Sequence, residues 1–216
     1  MGMLNDDFVI PMALDEESLG ERAEPVTVLL EKSPTLLGNS HITLRQEDVV
    51  TALGESGRRS LEIRLKLFVH PGEGVDFHSL KLTFEFDANP TVLITKIDPE
   101  RIQGSPTEIT VKRKVGIKPK ELEFGTEHSA KYTTAPDMVF GSIMGTSGAT
   151  FEFFAPKGEK LRVNQNITLC LEYALDNSSV IGWVTVRGKM QANGLRGLVP
   201  VWGRKDVNFL RSFTAS

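Results

Sequence analysis

A chain of 216 residues with 25 Lys and Arg, 28 Asp and Glu and a net charge of −3 is long enough to bury a sizeable core without covalent staples. Its 40% hydrophobic and 25% charged residues are ordinary for a globular domain, and no apolar run approaches the roughly 20 residues of a membrane-spanning helix. The acidic balance argues against nucleic acid as a partner, and the single cysteine, Cys170, excludes an internal disulfide or a cysteine-built metal cluster.

The opening stretch, MGMLNDDFVIPMALDEE, lacks the basic region of a secretory signal, and Asp6 and Asp7 stand where a myristoylation motif needs Ser or Thr. Together with the lone thiol, this predicts a soluble, intracellular, cytoplasmic protein. Seven acids in the first 25 residues (Asp6, Asp7, Asp15, Glu16, Glu17, Glu21, Glu24) face Arg22 alone, whereas six bases from Arg187 onward face only Asp206. Residues 1–25 therefore read as a flexible acidic arm and 26–216 as a single domain. Such an arm can dock on a basic face, and a solvated tail beside a solvated sheet is the plainer reading.

Strands are predicted at 26–31 and 41–45, with a helical turn over 46–53. In 60–70, Leu61, Ile63, Leu65, Leu67 and Val69 alternate with Glu62, Arg64 and Lys66; in 79–86, Leu80, Leu82, Phe84 and Phe86 alternate with Lys81, Thr83 and Glu85. Period two places each apolar set on one face of a pleated strand, and the short connection predicts an antiparallel hairpin. That connection carries His70, Glu73, Asp76 and His78, residue types that ligate divalent metals. By parity His70 falls on the charged side and His78 on the apolar side, so the two converge only if a bulge re-aims one. Pro71, Gly72 and Gly74 suit a tight loop. The reading is a plain turn, with no metal and no cofactor assigned.

Further strands are predicted at 92–97, 108–115, 121–124, 138–143, 150–154, 167–173, 180–190, 198–202 and 207–213. The basic run at 111–120 holds Lys112, Arg113, Lys114, Lys118 and Lys120. These could contact an anionic surface, but in a strand the charge splits between faces and serves to protect a sheet edge. Neither Gly145-Thr146-Ser147-Gly148-Ala149 nor Gly141-Ser142-Ile143-Met144-Gly145 completes a nucleophile elbow or a phosphate loop, so no catalytic residue is nominated. Cys170 and Trp183 read as core. The sequons at Asn166 and Asn177 would matter only in a secreted protein. Trp202, beside Pro200 and Gly203, is a candidate ligand platform or protein contact.

Many short strands without a long helical period predict an all-β, antiparallel two-sheet β-sandwich of jelly-roll or immunoglobulin-like type, with a β-barrel as the alternative. The segments FHSLKLTFEF, ITKIDPERI, NITLCLEYAL and VIGWVTVRGKM, with Ile94, Ile97 and Pro99 spaced as I-x-x-I-x-P, resemble an all-β domain of uncharacterised fungal proteins over residues 77 to 190. The chain departs from that pattern at Thr168 or Leu169, where a tryptophan is expected. The resemblance implies a β-sandwich and supplies no activity or site.

The function expected from sequence is a non-catalytic binding or assembly module, with a protein partner or self-association through sheet edges and loops. The alternative is a lectin-like or small-ligand binder, for a glycan or small molecule, using Trp202 with His70, Glu73, Asp76 and His78. A hydrolase with dispersed histidines and carboxylates ranks below both, and a membrane-surface module using Lys112–Lys120 last.

Overall fold

Alternating apolar residues set the architecture, because each run buries one face and must find a second layer to bury it against. The protein is described from a computed structural model over residues 7–19, 37, 39–53, 58–87, 92–104, 107–114, 127–134, 137–156, 159–174, 180–193 and 197–209. In chain order the elements are β1 (Asp7–Pro11), β2 (Ala13–Leu14), the single turn α1 (Glu16–Leu19), β3 (His41–Leu53), β4 (Arg59–His70), β5 (Val75–Phe86), β6 (Leu93–Asp98) and β7 (Arg101–Gln103). They continue as β8 (Thr107–Lys114), β9 (Glu127–Thr134), β10 (Asp137–Met144), β11 (Gly148–Phe154), β12 (Asn164–Tyr173), β13 (Ile181–Ala192) and β14 (Val199–Asn208).

A five-stranded sheet, β1-β3-β4-β12-β6, faces a seven-stranded sheet, β2-β14-β13-β5-β11-β10-β7, and all described pairings are antiparallel. The expected sandwich is the fold found, and the sheets do not close into a barrel. Strands β8 and β9 form a two-stranded ribbon belonging to neither sheet. Between the sheets lie Leu61, Ile63, Leu65 and Leu67 with Ile167, Leu169 and Leu171 on one side. Leu80, Leu82, Phe84, Phe151, Phe153, Val184 and Val186 face them from the other, all essentially inaccessible to water. No helix among the described residues is long and apolar enough to cross a membrane.

Four features depart from the sequence expectations. First, β4 and β5 are not a hairpin: β4 pairs with β3 and β12 in one sheet, and β5 with β13 and β11 in the other. Residues 71–74 are a corner that carries the chain between layers. Alternation reveals that a strand buries one face; it does not say which strand lies beside it. Second, residues 46–53 continue β3. Glu47 is an extra residue between the Gln46–Leu65 and Asp48–Arg64 pairs, and this bulge switches which residues point inward, so the period-two signal breaks mid-strand.

Third, of the two strands expected at 198–202 and 207–213, the described parts belong to one, β14 (Val199–Asn208), and residues 210–213 lie outside the described residues. Gly203 marks a close approach here, not a turn: a Cβ at this position would lie 2.5 Å from the Pro11 carbonyl oxygen. Fourth, the acidic arm contributes structure. Strand β1 adds to β3 and β2 adds to β14, with Ile10, Met12 and Leu14 buried. Phe8, Ile10, Met12 and Leu14 have the same alternation as the later strands, overshadowed in the sequence by neighbouring acids. The strands expected at 26–31 and 121–124 lie outside the described residues.

Candidate binding surface

The corner between β4 and β5 scatters the residues that sequence had grouped. His70 ends β4 on the outer side of the five-stranded sheet and pairs across strands with His41, the rings stacking at 4.5 Å. Asp76 belongs to the seven-stranded sheet, accepts an ion pair from Lys160 Nζ at 2.8 Å, and lines a cleft of about 360 Å³ with Val69, Pro71 and Phe77. His78 is the extra residue of a bulge, because Lys189 pairs with Ser79 and Met190 with Phe77. The bulge lets both Phe77 and Leu80 point inward and leaves His78 half-exposed, against the inward lean that parity implied. Glu73 is exposed in the corner itself. Gly74 holds a φ of +71°, a left-handed conformation that favours glycine, and its carbonyl accepts from Asn193 N at 2.8 Å. Among the described residues, no three of His, Cys, Asp or Glu come together as a metal-holding group.

Trp202 lies elsewhere, 41% exposed on the outer face of the seven-stranded sheet. It stands in a row crossing all seven strands: Arg101, Phe140, Glu152, Lys81, Arg187, Trp202 and Ala13 occupy matching register positions. Trp183 is on this face too, half-buried rather than in the core as sequence suggested. Its indole N–H donates to the Glu85 carboxylate, and the Arg204 guanidinium lies 4.8 Å above its ring. Beside Trp202 a groove of about 380 Å³ runs between α1, β14, β13, β5 and β11, lined in part by Asp15, Ser79, Glu152, Phe154, Arg187 and Lys189. The acidic segment forms one bank, since Asp15 N donates to the Pro200 carbonyl at 3.1 Å.

Of the basic run, Lys112, Arg113 and Lys114 stand on β8 in register with Ser129, His128 and Glu127. Lys118 and Lys120 lie outside the described residues. The structure thus leaves Trp202 apart from His70 and adds a groove that sequence reasoning did not assemble. The sequence signals for the groove were the acidic opening segment and the basic excess from Arg187 onward.

No family model and no curated protein matches the chain. Among solved structures, the Clostridium perfringens NetB toxin in its membrane-inserted form is similar at TM-score 0.39 and 9% identity, covering 94% of this chain and 91% of that one. Clostridium perfringens delta-toxin matches at TM-score 0.37 and 10% identity, over 79% of this chain and 89% of the toxin. A pore forming protein matches at TM-score 0.40 and 8% identity, over 79% and 82% of the two chains. With TM-scores of 0.40 or less, the functional reading rests on this chain's own surface.

Cys170 and His70 both titrate away from their ordinary values. Cys170 faces outward on β12 beside Glu62 and Lys96 and is half-buried, not enclosed in the core. Burial and then the Glu62 carboxylate push its thiol up from the ordinary value, which keeps it protonated and slow toward electrophiles. His70 is held below its ordinary value of 6.5, first by burial and then by His41. The unfolded chain therefore takes up that proton more readily than the folded one. The stabilising contribution is present above 6.5 and is lost as pH falls through the lower folded-state value. Urea midpoints measured from about pH 7.5 down to about pH 5 are expected to decline, and H70Q to flatten the fall. An unchanged slope in H70Q would remove the histidine pair as its cause.

Proposed function

We propose that this chain is a binding and assembly module acting without catalysis, and that copies of it join along the part of β10 that β7 does not pair. The carrying observation is a sheet edge paired by β7 over only part of its length, with β6 passing beside it where Ile94 N donates to the Thr146 carbonyl at 2.8 Å. The three-residue strand β7 covers β10 only as far as Phe140, and Gly141 N is satisfied by the Glu100 carbonyl at 2.8 Å. Among the described residues, no strand pairs with Ser142–Met144 on that side. Phe140, Ile143 and Met144 are 44%, 40% and 43% exposed along the same strand.

An edge with unpaired backbone groups and apolar side chains is a template for another strand unless charge, proline or a covering element blunts it. On β10 the only charged residue is Asp137, at the end covered by β7. A second copy offers the same edge, so a twofold antiparallel pairing closes on itself. Sedimentation velocity over a wide concentration range is expected to show a reversible shift to dimer, and F140E combined with M144E to hold the protein monomeric with its fold intact. A wild-type protein that stays monomeric throughout would overturn the proposal.

A further inference from the structure

Several outward cations of both sheets are paired with carboxylates, and two in the groove are not. On the five-stranded sheet, Arg45 meets Asp7 at 3.0 Å, Arg64 meets Glu62 at 2.7 Å, and Lys66 meets Glu47 at 3.9 Å. In the groove of the seven-stranded sheet, Lys81 meets Glu152 at 2.8 Å, and Asp15, almost wholly buried, accepts the Ser18 hydroxyl at 2.8 Å. Arg187 and Lys189 have no carboxylate in ion-pair contact among the described residues. They are two positions apart on one face of β13, about 7 Å along a strand. Arg187 is also directly opposite Lys81, a like-charge cross-strand pair that costs stability. The lining carries three cations and two carboxylates, and both carboxylates are engaged.

From this we infer that Arg187 and Lys189 form a binding site for a phosphate monoester whose organic part is apolar. A guanidinium offers a planar fork of donors and an ammonium a compact charge, together suited to an oxyanion with three terminal oxygens. The Ser79 hydroxyl lines the same groove, while Phe154, 37% exposed, and Pro200 supply an apolar wall for the ester group. The bulge at His78 lies beside the site in register, and the twist a bulge adds helps make a sheet face concave. This site lies on different strands from β10 and stands or falls independently of self-association.

The test is calorimetric titration of the full chain with phenyl phosphate, alongside co-sedimentation with phosphatidylcholine vesicles with and without phosphatidic acid. Wild type is expected to bind at least one phosphomonoester probe, and R187Q and K189Q each to weaken that binding about tenfold or more. Saturation by phenyl phosphate alone assigns a soluble ester, and capture by phosphatidic acid vesicles alone assigns a lipid headgroup; either supports the site. R187Q should melt no lower than wild type, because it relieves the repulsion from Lys81, which separates a binding role from a structural one. Failure of wild type to bind either probe, or equal binding by wild type and both variants, would overturn the inference.

Discussion

Phe84→Ala and Phe151→Ala are each expected to lower stability by about 3–5 kcal/mol. Both rings are fully enclosed between the sheets and meet edge to face at 6.0 Å. Each stands on a central strand, β5 or β11, held by neighbours on both sides, so the surrounding backbone has little freedom to collapse into the space left behind. Truncation removes the transfer free energy of the ring and leaves a cavity whose walls lose their contacts. The double variant should fall short of the sum by about 0.5–1.5 kcal/mol, the coupling of an edge-to-face aromatic pair. Urea unfolding with an unchanged slope against denaturant is the measurement. A loss below about 1 kcal/mol for either single variant would mean that the sheets do not pack here as described.

Ile10→Ala is expected to cost about 2–5 kcal/mol, although it lies among the acids of the N-terminal segment. Ile10 is fully buried, pairs with Ile42 across β1 and β3, and its segment passes over Gly203 at a distance no side chain there would allow. Asp7→Asn provides the contrast. Asp7 accepts two hydrogen bonds from Arg45, at 3.0 and 3.3 Å, on an exposed surface, where solvent screening leaves an ion pair little net effect on stability. If both substitutions prove equally mild, the segment is a solvated arm after all; a large gap between them places it in the core.

The contrast shows what was legible in the sequence. Runs such as Leu61 to Leu67 and Leu80 to Phe86 announce half-buried strands, because burial of one pleated face leaves a period of two that no helix shares. From enough of them the sandwich follows. Bulges were not legible. Glu47, His78 and Thr95 are each an extra residue, and each reverses the inward face within one strand. At Thr95 the bulge explains the sequence spacing directly: Ile94 and Ile97 both point inward, which an unbroken strand forbids. Strand partnership was also hidden, because it depends on which faces meet after the chain crosses between layers. The groove at Arg187 and Lys189 gathers Asp15, Ser79, Phe154 and Pro200 from distant segments, and no local spacing could have joined them. His70 and Trp202 were grouped by residue type, whereas the fold sets them on the outer faces of different sheets.

The incomplete edge of β10 carries the functional account, and amide hydrogen exchange at low and high protein concentration tests it most directly. Exchange at Ile143, whose N–H points to the same side as that of Gly141 along the strand, is expected to slow markedly on concentration, while β1 at the opposite sheet is unaffected. Exchange along Ser142–Met144 that is the same at every concentration would contradict the account.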